Sequence, residues 1–420
     1  MIGFCRFVLS KNVLQVSFLV GVLSASAVES QEWDRFRGPN GSGVIAGNTP
    51  AAWTEQDLLW KIKLPGQGHS SPVIWGKRIF LMSADETAAK QYVLCVNADD
   101  GSVLWQKEFS FSTYHIHTLS SFASTTPAVD AEHVYVAWAS PDKTMLMAFD
   151  HNGEEVWQRE LGEFDSQHGF GTSPIVYGDL VILCKQQKKP DRDGPRTPTS
   201  FIIAVDKKTG STRWQSDRMS EVVSYSVPCI FSEPGKPDQL ICCSTADGIF
   251  SLDPLTGKEN WKKEVFSMRT VSSPIVAGDL VLGTTGSGGG GNYVTALRPA
   301  ANPDIAFEVK RQAPYVPTPV AFQDWIFLWF EQGIVTCVDA KTGDSIWQKR
   351  VGKKYWSSPI IVGDKIYGVS EEGDVTVIRA ADKFELLAEN SLGEASRSTP
   401  AADGKRLYFR TFSHLMAVGK

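Results

Sequence analysis

The chain reads as an all-β protein: an eight-bladed β-propeller of four-stranded antiparallel blades, closed by an N-terminal strand that completes the C-terminal blade. Three observations predict this. An opening motif recurs at Ser71-Pro72, Thr126-Pro127, Ser173-Pro174, Val227-Pro228, Ser273-Pro274, Thr318-Pro319, Ser358-Pro359 and Thr399-Pro400, at spacings of 40 to 55 residues. That period suits one four-stranded blade per repeat. A closing motif, glycine with tryptophan four residues later, appears at Gly101/Trp105, Gly153/Trp157, Gly210/Trp214, Gly257/Trp261 and Gly343/Trp347. Phe307 is read in the Trp place of the fifth unit and Leu387 in that of the seventh. The eighth unit has room for only three strands before Lys420, and the missing one matches residues 58–64, whose Leu-Leu-Trp resembles Val103-Leu104-Trp105.

Each unit has the same local logic. In residues 172–214, Pro174 sits at the start of a strand, where its missing N–H does least harm. Gly178-Asp179 between two apolar runs is a hairpin turn. Thr209-Gly210 turns the chain again into a strand carrying Trp214. Such a sheet has two open faces and cannot stand alone. Stacking copies covers the faces, and closing the ring removes a free edge.

Along the chain, residues 1–27 read as a signal peptide: Arg6 and Lys11, an apolar run over 13–23, then Ala25-Ser26-Ala27. The run is too short for a membrane span, and Cys5 precedes it, so it is no lipid-anchor cysteine. The expectation is a soluble, exported monomer, periplasmic or extracellular. Residues 28–57 read as an ordered arm on the propeller, because Trp33, Arg35, Phe36 and Arg37 precede a Gly-Pro-Asn-Gly turn. Residues 58–420 read as one propeller domain. A polar insert around Lys188-Lys189-Pro190 reads as a surface loop. The glycines of 286–291 precede a strand rather than a helix, so they do not form a phosphate cradle. A formal net charge of −5 without a basic stripe excludes a nucleic-acid footprint.

Six cysteines follow the leader. Cys95 and Cys337 fall in the repeat slot that holds Ala148, Ala204, Ser251 and Ala296, where a small residue is wanted. Export permits disulfides. Cys242-Cys243, however, lies within a strand, where successive side chains point to opposite faces, so core packing is expected of the pair.

The repeated Ala-x-Asp-x-x-Thr-Gly-x-x-x-Trp, clearest at residues 204–214, resembles the PQQ-type (pyrroloquinoline quinone) β-propeller repeat, from Trp60 to the C-terminus. That family contains quinone-dependent alcohol and sugar dehydrogenases. It also contains non-enzymatic propellers such as BamB, a subunit of the outer-membrane β-barrel assembly machinery. Phe36-Arg37-Gly38-Pro39-Asn40-Gly41 and Gly68-His69-Ser70-Ser71-Pro72 are also similar to a group of exported bacterial propellers. The dehydrogenase branch implies PQQ over a Trp floor, calcium held by Glu, Asn and Asp, a basic Asp, and long inserts between blades. Here the blades are compact, and Asp165 and Glu221 are the nearest loop acids. The expectation is a non-enzymatic binding or scaffold propeller, without catalytic residues or cofactor; the alternative is a PQQ- or metal-dependent oxidoreductase.

A ring forces the loops entering its first strands onto one rim. The residues three before each proline are His69, Ser124, Gly171, Tyr225, Val271, Val316, Trp356 and Arg397, with His168, Arg269, Tyr315, Lys354 and Tyr355 nearby. His69, His168, Tyr225, Arg269, Trp356 and Arg397 are the candidate binding residues at this mouth. Aromatics and cations suit a protein, peptide or anionic small-molecule ligand. His115 and His117 would face one side of an extended chain as a metal pair, with His69 or His168 as a third ligand. No acid or cysteine is fixed beside them by spacing, so no metal site is expected.

Overall fold

The computed structural model describes residues 1–3, 32–187, 199–220 and 222–419. The signal-peptide reading with Cys5, the Lys188-Lys189 insert and Glu221 lie outside the described residues. Eight sheets form the ring, seven of four strands and one of five. The first blade is Val73–Trp75, Arg78–Asp85, Lys90–Asn97 and Val103–Ser110, paired in sequence order. Innermost strands are only two or three residues long and follow the motif prolines. Middle strands such as Leu180–Lys185 are buried on both faces, while the outermost, such as Thr212–Arg218, buries mainly its Trp.

The last blade is Ala401–Ala402, Arg406–Arg410, His414–Gly419 and Leu58–Lys63. Leu58–Lys63 pairs antiparallel with His414–Gly419, from Leu58 opposite Val418 to Lys63 opposite His414. The ends of the ring are therefore joined by backbone hydrogen bonds, as the sequence predicted.

Adjacent blades interlock through the closing motif. A Cβ built on Gly101 would lie 2.7 Å from the Trp60 ring, and one on Gly210 would lie 2.7 Å from Trp157. Each glycine thus lies flat on the indole of the preceding blade. The indole N–H then reaches a carbonyl of the following blade: Trp60 to Ala98 at 3.1 Å, Trp157 to Lys207 at 2.9 Å, Trp214 to Pro254 at 3.0 Å. Trp261 faces a blade with no glycine at that turn, and it donates within its own blade to Gln239 at 2.7 Å. Phe307 takes the Trp place in the fifth blade, with Gly343 packed on its ring.

The seventh blade corrects the sequence reading. Ala388, not Leu387, pairs with Val377 in the register that places Trp347 opposite Cys337. A bulge shifts the strand by one residue there, as in the other blades. With alanine in the slot, the arm supplies the missing aromatic. Trp53 stacks on Phe409 of the last blade at 5.4 Å, and its backbone N–H donates to Asn390 Oδ1 of the seventh at 2.8 Å.

A second device encircles the channel. The hydroxyl before each motif proline accepts the N–H of its counterpart in the preceding blade: Ser71 N to Thr126, Thr126 N to Ser173, Val227 N to Ser273, Ser273 N to Thr318, Thr318 N to Ser358, Ser358 N to Thr399 and Thr399 N to Ser71. The step after Ser173 is missing, because Val227 has no hydroxyl.

Residues 32–57 run across the far end of the channel. Ile74 N donates to Trp33 O and Val129 N to Asp34 O, both at 2.8 Å. Arg35 caps the carbonyl of Pro228, and Asn40 exchanges two hydrogen bonds with Ile230. Arg37 is fully buried and donates to Thr318 O at 2.6 Å and Pro319 O at 2.8 Å. Val44–Ile45 then adds a parallel fifth strand to the seventh blade. Burial without a carboxylate partner pushes the Arg37 guanidinium down to about 9.

The six described cysteines are free and buried. Cys242 and Cys243 pack into different apolar clusters on the two faces of one strand, as alternation requires. Among the described residues, no helix is long and apolar enough to cross a membrane.

Candidate functional site

The six candidate residues line one cavity of about 630 Å³ in the channel: His69, His168, Tyr225, Arg269, Trp356 and Arg397. They arrive on six loops, each held by the first strand that follows it. The pre-proline hydroxyls form the wall beneath them, and Phe36 of the arm closes the other end. The arm, anchored on several blades, thus crosses the end of the channel opposite the mouth. No Asp or Glu lines it among the described residues.

The cations are not equivalent. Arg397 is already occupied: it donates to Glu371 at 2.6 and 3.2 Å and to Thr118 O at 3.1 Å. It nevertheless remains part of the cavity lining. Burial works to raise the Glu371 carboxyl, but the hydrogen bonds from Arg397, with Lys354 through space, hold it below the usual range. Arg269 differs. It makes no ion pair among the described residues, and its Nε–H is buried without a hydrogen-bond partner. Tyr225 and Tyr315 flank it. Burial pushes Tyr225 up to about 12 and raises Tyr315, with Arg269 opposing both. Both phenols therefore keep their protons at neutral pH. Glu331 holds Tyr315 in place by accepting the N–H groups of Tyr315 and Val316, the latter at 2.6 Å.

The His69 and His168 imidazoles are neutral at physiological pH. Burial, then Arg397 and Arg410, brings His69 to about 3. Burial, then Arg269 and His117, brings His168 to about 4. The His117 and His168 rings lie 4.6 Å apart, and Ser120 Oγ is 3.3 Å from His168 Nδ1. No carboxylate orients that Ser–His contact, and an imidazole this acidic is a poor base. His115 is exposed and lies outside this cavity, beside a second, outer one. His117 lines that outer cavity as well, but no group of three or more His, Cys, Asp or Glu suited to a metal occurs among the described residues. Asp165 is also exposed and away from the lining.

A quinone with calcium does not fit this donor set. Calcium asks for six to eight oxygen ligands, with carboxylates prominent. The lining offers guanidinium, ammonium, imidazole, hydroxyl and aromatic groups.

Sequence reasoning missed Phe36, the hydroxyl wall, and Glu371 as the partner of Arg397. The hydroxyls were visible as the Ser or Thr preceding nearly every motif proline. Phe36 and Glu371 carried no local signal.

A family model described as "Outer membrane protein assembly factor BamB" matches residues 44–116, 90–215 and 198–419. A tetrathionate hydrolase of Acidithiobacillus ferrooxidans is 22% identical over 233 residues, 53% of this chain and 42% of the hydrolase. The chain thus spans less than half of that relative. An outer membrane protein assembly factor BamB of Alteromonas naphthalenivorans is 24% identical over 327 residues, 72% of this chain and 71% of that protein. Among solved structures, BamB of Moraxella catarrhalis superimposes with a TM-score of 0.61 at 15% identity, covering 86% of this chain and 97% of that one. A quinohemoprotein alcohol dehydrogenase of Comamonas testosteroni gives 0.69 at 12% identity, covering 94% and 81%. At such identities both likenesses show the fold alone.

Proposed function

The chain belongs to the family of the outer membrane protein assembly factor BamB, and from that membership we propose that it is an exported, non-enzymatic binding or scaffold propeller that engages its partners at the mouth of its channel. One observation carries the reading: six loops bring aromatic, imidazole and cationic side chains to a single mouth, with no acid in the lining among the described residues. Such a surface recognises partners. It lacks the paired carboxylates, oriented nucleophile or metal ligands that hydrolysis or dehydrogenation would call on. Export rests on the leader read in residues 1–27.

Photo-crosslinking in cells that make the protein tests this. A photoreactive residue replaces Gln167, exposed at the mouth, or Lys208, in a third-to-fourth-strand turn at the opposite rim. The expected result is a protein adduct from position 167 and none from 208. Adducts confined to position 208, or absent at both, would contradict the proposal.

A further inference from the structure

We infer that the channel is a blind pocket for a small organic anion, whose carboxylate or sulfonate meets Arg269 while its body rests among Phe36, Tyr225 and Trp356. The inference rests on the reading of the mouth as a binding surface and deepens it by naming a ligand class.

Charge is the first argument. The lining carries Arg269, Lys354 and Arg397 and, among the described residues, no acid. Glu371 neutralises Arg397 at 2.6 Å. Lys354 acts on the same carboxylate through space. Arg269 makes no ion pair among the described residues, so its charge is left for a guest. The Arg269 guanidinium lines the cavity, and a bound oxyanion would take charge-assisted bonds from it.

The wall is the second argument. Ser71, Ser173, Ser273, Thr318, Ser358 and Thr399 all line the cavity. Each hydroxyl oxygen accepts a backbone N–H from the neighbouring blade. In these bonds the hydroxyls act as acceptors, which leaves each O–H available to an acceptor in the channel. Tyr225 and Tyr315 keep their phenolic protons. A cavity wall of donors without acidic acceptors selects an acceptor-rich, negatively charged guest.

Shape is the third. The volume of about 630 Å³ falls within the range of small-molecule sites. Phe36 blocks the far end, and Arg35 and Arg37 fix the arm segment that carries it. A guest therefore enters and leaves by one mouth. That excludes a chain threading through the ring.

The test uses the purified full chain with two probes of one shape, 2-naphthoate and neutral 2-naphthamide, followed by calorimetry. The expected result is one saturable site with about tenfold preference for the anion, a difference of about 1.4 kcal/mol. Raising salt from about 50 to 500 mM should weaken naphthoate and leave naphthamide unchanged. Arg269→Gln should abolish the preference, and Lys354→Gln should reduce it about two- to threefold. The salt series and the lysine variant keep the idea exposed if Arg269→Gln fails to fold. Equal binding of both probes, no saturable binding, or a preference unchanged in folded Arg269→Gln would overturn the inference. A crosslink at position 167 with no naphthoate binding would overturn this inference alone and leave the partner-binding surface standing.

Discussion

At Gly210 the backbone has φ +69°, and a methyl group there would meet the Trp157 ring at 2.7 Å. Two demands fall on one residue: a left-handed turn and a flat face for the indole. Gly178 has φ +56° with nothing within 4 Å, so it meets only the first demand. Gly210→Ala should cost about 1–3 kcal/mol, and Gly178→Ala only about 1 kcal/mol. Chemical denaturation of the two variants measures the difference, which reports the interlock itself. Trp214→Ala, removing an indole 7% exposed, should cost about 3–5 kcal/mol. The Gly–Trp spacing was legible in the sequence as a repeat. Its meaning was not, because glycine and tryptophan touch across blades rather than within one. The slip from Ala388 to Leu387 comes from the turn: Val377 to its partner Ala388 is 11 positions, where Cys337 to Trp347 is 10. The histidines give a pH signature. His69 and His168 hold protons only below about 3 and 4 in the folded chain, but near 6.5 when unfolded. The unfolded state therefore binds more protons across that window, and stability falls as pH drops through it. Half-buried His151, also lowered, acts with the same sign. The melting temperature should fall between pH 7 and 4.5, with a shallower slope in the His69→Gln, His168→Gln double variant. An unchanged slope would mean that other groups carry the effect.

At the scale of the element, the innermost strands are two or three residues long and gain little from their own ladders. The hydroxyl belt joins them sideways, blade to blade. Thr318→Val keeps the shape and removes the acceptor for Ser273 N, leaving a buried N–H unpaired at a cost of about 1–3 kcal/mol. Val227→Thr should complete the missing step beside Ser173 and stabilise by about 1 kcal/mol. Thermal unfolding of both variants checks the pair, and a destabilising Val227→Thr would mean the gap is a matter of packing. The sequence showed Ser or Thr before most motif prolines, and the prolines drew the attention. The hydroxyls are the half of the motif that faces both the neighbouring blade and the cavity.

For the whole molecule, closure was legible because Trp60 repeats the setting of Trp105 in a distant part of the chain. The path of the arm was not. Its anchors on Pro228, Thr318 and Ile361 are contacts between residues hundreds of positions apart, with no local pattern to announce them. Deleting residues 28–66 removes the last blade's outer strand, the Trp53 filler and the Phe36 floor together. The melting temperature should drop by roughly 10 °C or more; a shift of about 1–2 °C would contradict the closure. The central claim is that this ring uses its channel to bind rather than to catalyse. The most direct measurement is dye-linked oxidation of alcohols and aldose sugars by the purified chain after addition of pyrroloquinoline quinone and calcium. A lining without a carboxylate predicts no rate above a heat-treated control. Turnover that requires both the quinone and calcium would contradict it.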